Sequence, residues 1–413
     1  SPGVVQISAG GTHTCALDEN GDVWCWGYNG NGQLGDGSRI TSSTPVKVSN
    51  LGGKARNISA SGEHGCAVLK NGTVRCWGGN SSGELGDGTL SSQKAPVSVN
   101  TPPISITQVA SGIEHTCAVS QFGSVLCWGR TSEGQLGIGV DANSNEIREV
   151  TGLHANVIQI TGGEFHTCAN YATGVQCWGD NGYGQLGGNL DPNGGPLVEV
   201  SNLITPVISI ATGYAHNCSV AKSGEVQCWG WNTVGQLGDG TKENKNHAVS
   251  VIGITDSAKA TSVGDAHSCV LSTAGGVNCW GQNEYGELGN GTTDEQSQPV
   301  NVVGLSQGVV KVSDGECVLL ENGAVNCWGF NDYGFPGSGS TVLSTIPVTP
   351  TNMESGVLDI AAHYSTVCAL IDNGTVKCWG SNFYGQLGDG TTQNRAEVVD
   401  VIGLSGPVDS IYT

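Results

Sequence analysis

The tripeptide Cys-Trp-Gly recurs eight times, at 25–27, 76–78, 127–129, 177–179, 228–230, 279–281, 327–329 and 378–380. A second cysteine precedes each one. The pairs are Cys15 with Cys25, Cys66 with Cys76, Cys117 with Cys127, Cys168 with Cys177, Cys218 with Cys228, Cys269 with Cys279, Cys317 with Cys327 and Cys368 with Cys378. The first cysteines are spaced by 51, 51, 51, 50, 51, 48 and 51 residues, and the pairs use all 16 cysteines. A fixed period of this size marks a solenoid or a propeller. The units run approximately 4–54, 55–105, 106–156, 157–206, 207–257, 258–305, 306–356 and 357–407 within 1–413, which reads as a single domain.

One unit divides into four short β-type runs. In the first they are Val4–Ala9, Thr14–Asp18, Asp22–Trp26 and Pro45–Val48, with a turn at Asn20–Gly21 and a glycine-rich loop over Gly30–Gly37. Four strands per unit without helical periodicity predict an all-β fold, a β-propeller of eight ~51-residue blades. Seven closed blades or an open repeat array stay open as alternatives.

Folding the second run onto the third about Asn20 sets Cys15 opposite Cys25 and Leu17 opposite Val23. Directly opposed residues at a non-hydrogen-bonded position are close enough for a disulfide, so one hairpin disulfide per blade is expected. In the fourth unit the pair is Cys168 and Cys177, one residue closer, and the turn at Tyr171–Gly174 is shorter to match. Free thiols and zinc shared between units are the other readings. Disulfides imply an oxidising compartment, hence a secreted or cell-surface protein.

Composition excludes several classes. Glycine, 66 of 413 residues, lacks the three-residue period of collagen. Net charge is −20, which repels nucleic acid and anionic membranes. No apolar run approaches the roughly 20 residues a membrane helix needs, so no membrane insertion is expected.

The pattern G-x-x-H-[ST]-C-A-[LV], then N-G-x-V-x-C-W-G-x-N-x-x-G-Q-L-G-D-G, resembles the regulator of chromosome condensation repeat family. The resemblance covers essentially the whole chain and implies a β-propeller. Family members include an exchange factor for a small GTPase, a photoreceptor and a secreted inhibitor, so it implies fold far more than function. Eight units depart from the usual seven. With the cysteine pairs, the resemblance implies a secreted, disulfide-bearing member of bacterial type.

Several repeat positions carry chemistry-capable side chains. His13, His64, His115, His166, His216 and His267 stand two residues before the first cysteine. They read as structural or as metal ligands. Asp36, Asp87, Asp239 and Asp389 recur in the GDG turn, where they read as turn residues or calcium ligands. No nucleophile–base–acid set stands out, and no catalytic residue, cofactor or metal is expected.

Deviations from the repeat are the informative positions, because binding residues sit on variable loops over a rigid scaffold. They are Ile138–Glu149, read as a long loop, Gly187–Pro196 and Phe330–Ser340. The aromatics Tyr28, Tyr183, Trp231, Tyr285, Phe330, Tyr333, Phe383 and Tyr384 fall near the CWG-x-N loop at recurring offsets. They read as a ring on one face that binds a partner, or as packing against the adjacent blade. Among glycosylation sequons at Asn57, Asn71, Asn80, Asn217, Asn290 and Asn373, Asn71 and Asn373 lie at hairpin turns where a glycan would project.

Val408–Thr413, VDSIYT, repeats the pattern of Val4–Ala9, VVQISA. This surplus strand would close the ring in place of the first, or pair with another copy, or belong to a window of a longer repeat array. The sequence thus predicts a non-enzymatic propeller that binds a protein or glycan. A structural subunit of an extracellular filament or surface layer is a second reading. An enzyme with a site in the central channel is a third.

Overall fold

The computed structural model describes residues 4–138, 144–154, 156–171, 173–188, 197–313, 315–363 and 365–404. They form eight antiparallel sheets of four strands each, and no helix occurs among them. In blade one the strands Val4–Ala9, His13–Asp18, Val23–Gly27 and Ser42–Lys47 pair in chain order. Blade eight repeats this with Val357–His363, Thr366–Ile371, Val376–Gly380 and Arg395–Asp400.

The first strands of successive blades touch one another all the way round, including the first and last blades, so they form the inner wall. The second strand lies inside its blade, and HTCALD in blade one is buried along its whole length. The fourth strand, SSTPVK in blade one, is a half-buried outer edge.

Cys15 faces Cys25 and Leu17 faces Val23, as the hairpin folding requires. Every expected disulfide forms. Cys15 is bonded to Cys25, Cys66 to Cys76, Cys117 to Cys127 and Cys168 to Cys177. Cys218 is bonded to Cys228, Cys269 to Cys279, Cys317 to Cys327 and Cys368 to Cys378. No free cysteine remains, so the thiol and zinc readings fall away. The Cα–Cα separations of 4.1–4.2 Å are the close spacing of a non-hydrogen-bonded pair. The fourth pair is separated by 9 residues, and its hairpin ends on the pair Tyr171↔Gly174.

Blades are joined by a repeated network. Each CWG tryptophan is fully buried. Its indole N–H donates to a loop carbonyl of the preceding blade at 2.7–3.1 Å, from Trp26 to Gln386 O through Trp379 to Phe335 O. The same carbonyls receive a second donor in several blades: Thr116 Oγ1 to Glu84 O, Asn217 Nδ2 to Gln185 O and Ser268 Oγ to Gln236 O. Those hydroxyl and amide groups in turn bond the preceding blade's histidine. His64 Nε2 lies 2.9 Å from Thr116, His166 Nε2 2.7 Å from Asn217 and His216 Nε2 2.9 Å from Ser268. Since the hydroxyl protons of Thr116 and Ser268 go to carbonyls, His64 and His216 donate through Nε2.

The inner strands are capped sideways. The Gln6 amide donates to Ile58 O at 2.8 Å and accepts from Ile58 N at 3.0 Å, imitating a strand partner. Ser8 Oγ accepts from Ala60 N, Asn57 Oδ1 from Val109 N and Ser313 Oγ from Ala362 N. These side chains satisfy strand edges that would otherwise be open to pairing.

The ring closes with eight blades. Val4, Ile7 and Trp26 pack with Leu370, Leu387 and Val401 of blade eight, and Trp26 Nε1 reaches Gln386 O at 2.7 Å. Seven blades and an open array are thereby excluded. The inner-strand place in blade one is taken by Val4–Ala9, and Val408–Thr413 lies outside the described residues.

Two expectations are corrected. The outer strand of blade one starts at Ser42, not Pro45. Within Ile138–Glu149, Ser144–Glu149 is the outer strand of blade three rather than loop, paired to Val125–Gly129. Its polar sequence hides it, because an outer edge needs little apolar surface. Residues 139–143, and 189–196 of the second variable stretch, lie outside the described residues.

Candidate functional site

Antiparallel order places the loop between strands one and two at the same end of the blade as the loop between strands three and four. Backbone bonds tie the two together: Tyr28 N to Thr12 O at 3.0 Å, Trp231 N to Ala215 O at 2.9 Å and Ser381 N to Ser365 O at 2.8 Å. All eight sequence-selected aromatics lie on this end.

The loops that carry them are held by side-chain hydrogen bonds, to which Asn331 in blade seven contributes through Nδ2 alone. The asparagine of CWG-x-N is buried and organises the loop after it. Asn382 Oδ1 accepts from Leu387 N at 2.9 Å, while Nδ2 donates to Thr391 O at 3.1 Å and Gln393 O at 3.0 Å. Asn29, Asn80, Asn232 and Asn283 form the corresponding bonds. The GDG aspartates complete the turn: Asp389 Oδ1 accepts from Thr391 N at 2.9 Å, and Asp36, Asp87 and Asp239 do the same two residues ahead. Their oxygens are thus engaged by their own loop. Gln386 Oε1 accepts from Tyr384 N at 3.0 Å, fixing the backbone of the aromatic itself.

On this scaffold the aromatics meet across blade boundaries. Tyr285 of blade six contacts Phe330 of blade seven with ring centres 5.2 Å apart. Phe330 lies 5.9 Å from Tyr333, and Tyr333 5.2 Å from Phe383 of blade eight. The next residue, Tyr384, lies 5.1 Å from Tyr28 of blade one. Six rings thus form an arc from blade six to blade one. Tyr183 and Trp231 form a separate cluster, 6.0 Å apart.

These residues pack against the neighbouring blade and still face solvent. Phe383 is 55% exposed, and Tyr183, Tyr285 and Tyr384 are each 42% exposed; the other four are half-buried. Tyr214, on the first loop of blade five, is a member that sequence reasoning missed. It lies 6.1 Å from Trp231. Its signal was an aromatic two residues before the repeat histidine, on the other loop of the same end.

The remaining sector is polar. Arg130 stands where Tyr28 stands in blade one. It pairs with Glu114 at 2.6 Å and lies 5.3 Å from the Phe165 ring. A cavity of about 400 Å³ spans blades one to three, lined by Asn31, Glu63, Glu84 and Glu114 among others. Burial pushes the Glu84 carboxyl up. At the mouth of the channel a cavity of about 190 Å³ is lined by Glu164, Thr212, Tyr214 and Asp265. Burial, then the nearby Asp265 carboxylate, raises Glu164, and the Glu164 charge raises the Tyr214 hydroxyl. No histidine, lysine or cysteine is among the described residues lining it.

The repeat histidines are interior hydrogen-bonding groups. Burial, then charge from neighbouring histidines, lowers His64 and His216 to about 3 and His115 to about 4. Among the described residues no three His, Cys, Asp or Glu side chains are grouped to hold a metal ion. Of the sequons, Asn71 and Asn373 are exposed at hairpin turns on the opposite end, whereas Asn80 and Asn217 are buried and bonded. Among the described residues no helix is long and apolar enough to cross a membrane.

Residues 1–319 match the RCC1-like domain, and residues 357–386 match a regulator of chromosome condensation (RCC1) repeat. The chain therefore belongs to the RCC1-like domain family. It is 31% identical over 317 residues to the ultraviolet-B receptor UVR8 of Arabidopsis thaliana, covering 76% of this chain and 61% of the receptor. The match thus spans less than two thirds of that relative's length. Among solved structures, yeast RCC1 (Prp20) bound to Kap60 is 25% identical with a TM-score of 0.59, covering 72% of this chain and 74% of that one. Human WBSCR16 superposes with a TM-score of 0.66 at 23% identity, covering 82% and 96%.

Proposed function

We propose that this propeller is a non-enzymatic scaffold that binds a protein partner through the loop end carrying the aromatic arc, in an oxidising, extracellular setting. The arc carries the reading. Six aromatic rings held on a hydrogen-bonded scaffold present apolar area at low entropic cost, which is what interface anchors supply. Eight disulfides, one in each blade, support the compartment. That yeast RCC1 is seen bound to Kap60 supports a protein partner over a small molecule.

The test uses the wild-type chain and a variant carrying both Tyr285→Ala and Phe383→Ala as baits in native extracellular fluid. Recovery of a partner by the wild type alone supports the reading. Equal recovery by both overturns the assignment to the arc. A parallel screen on a glycan array that binds only the wild type would replace the protein partner with a carbohydrate.

A further inference from the structure

We infer that the aromatic arc docks an arginine- or lysine-bearing extended segment of its partner; this rests on the binding-scaffold reading above and names the partner's chemistry. Three observations converge. First, the loops bearing the arc, 28–41, 282–295, 330–343 and 381–394, contain seven acidic side chains and one basic one, Arg39; two of the acids, Glu295 and Asp389, are paired with Lys242 and Arg395. Arg39 is already engaged by Gly30 O and Ser92 O. Second, Glu284 and Asp332 are exposed next to Tyr285 and Tyr333 in sequence, and neither has an ion-pair partner among the described residues. Two unpaired carboxylates therefore stand beside rings in the part of the arc that blades six and seven supply.

Third, the same end already contains the completed form of this chemistry. In blade three the Arg130 guanidinium lies 5.3 Å from the Phe165 ring and 2.6 Å from Glu114. The arc offers rings beside the Glu284 and Asp332 carboxylates, and among the described residues no cation lies over an arc ring. A cation over an aromatic face beside a carboxylate gains from both. The net charge of −20 would also speed encounter with a basic partner.

The probe is a peptide of four arginines spaced by glycines, titrated calorimetrically at physiological salt against the whole chain. Its control replaces arginine by citrulline, which keeps the shape and drops the charge. The arginine peptide should bind and the citrulline peptide should bind about tenfold or more weakly. A variant carrying Tyr285→Leu and Phe383→Leu keeps every carboxylate and the apolar bulk, and should lose about tenfold. Glu284→Gln with Asp332→Asn should lose about threefold to tenfold. Tyr183→Leu, outside the arc, should change nothing.

Full affinity in the leucine variant would mean attraction to general negative charge and would overturn the inference. So would equal binding of the two peptides. Near-ultraviolet circular dichroism checks folding, and Phe383→Leu alone, at the most exposed ring, carries the test if the double variant is damaged. A native partner that depends on the arc but is not displaced by the arginine peptide removes this inference and leaves the scaffold reading standing.

Discussion

The carbonyl of Gln236 accepts from the Trp280 indole at 2.8 Å and from Ser268 Oγ at 2.9 Å. It belongs to one blade and both donors to the next, so this one atom is an interblade joint. Trp280→Phe keeps most of the buried ring and loses the donor, and should cost about 1–2 kcal/mol. Trp280→Ala also opens a cavity and should cost about 3–5 kcal/mol. Denaturant midpoints on the oxidised protein separate the two terms. His64 supplies a pH dependence at the same scale. Folded, it accepts a proton only near pH 3; unfolded, it does so near 6.5. The unfolded state therefore binds more protons between those values, and stability should fall as pH falls from about 6.5 to 3. In His64→Gln that part of the acid loss should disappear, read from urea midpoints at neutral pH and at pH 4.

At the scale of the strand and hairpin, the disulfide is the local constraint. Removing one, by Cys368→Ser together with Cys378→Ser, opens a loop with a separation of 10 residues and should cost about 2–3 kcal/mol. Thermal unfolding should show the loss without a change in native circular dichroism. The register of the blade-one hairpin was legible because two-residue periodicity and the Asn-Gly turn together allow one pairing of Cys15 with Cys25. The outer strands were not. SNEIRE at Ser144–Glu149 is mostly polar, and its pairing to the third strand slips between Cys127 and Gly129, so no alternation marks it. The arc was half legible. Loop offset singled out Tyr285, Tyr333 and Tyr384, but the contact of Tyr333 with Phe383 depends on which loops adjoin in space. Tyr214 was invisible to an offset rule because it joins the cluster from a different loop.

For the molecule as a whole, the ring converts eight similar units into one mutually supported body. Open repeat arrays depend on nearest-neighbour interfaces and need polar caps at their ends. Here blade one packs on blade eight, so every blade has two neighbours. The excess of acid works against this, since a chain of net charge −20 repels itself when compact. Raising sodium chloride from about 10 to 200 mM shortens the screening length several-fold and should raise the melting temperature by a few degrees in calorimetry. A flat response would mean that the acids are spread widely enough to ignore one another.

All eight covalent links stay inside single hairpins, 9 or 10 residues apart in the chain. No disulfide ties one blade to another, and this bears on how the molecule is made. A loop of about ten residues closes in roughly 10–100 ns, far faster than synthesis adds the next unit. Each cysteine therefore meets its proper mate before the following pair has been translated. Oxidation can then proceed blade by blade behind the ribosome. Although sixteen thiols allow very many mispairings in a refolding flask, birth order leaves each one with a single close neighbour.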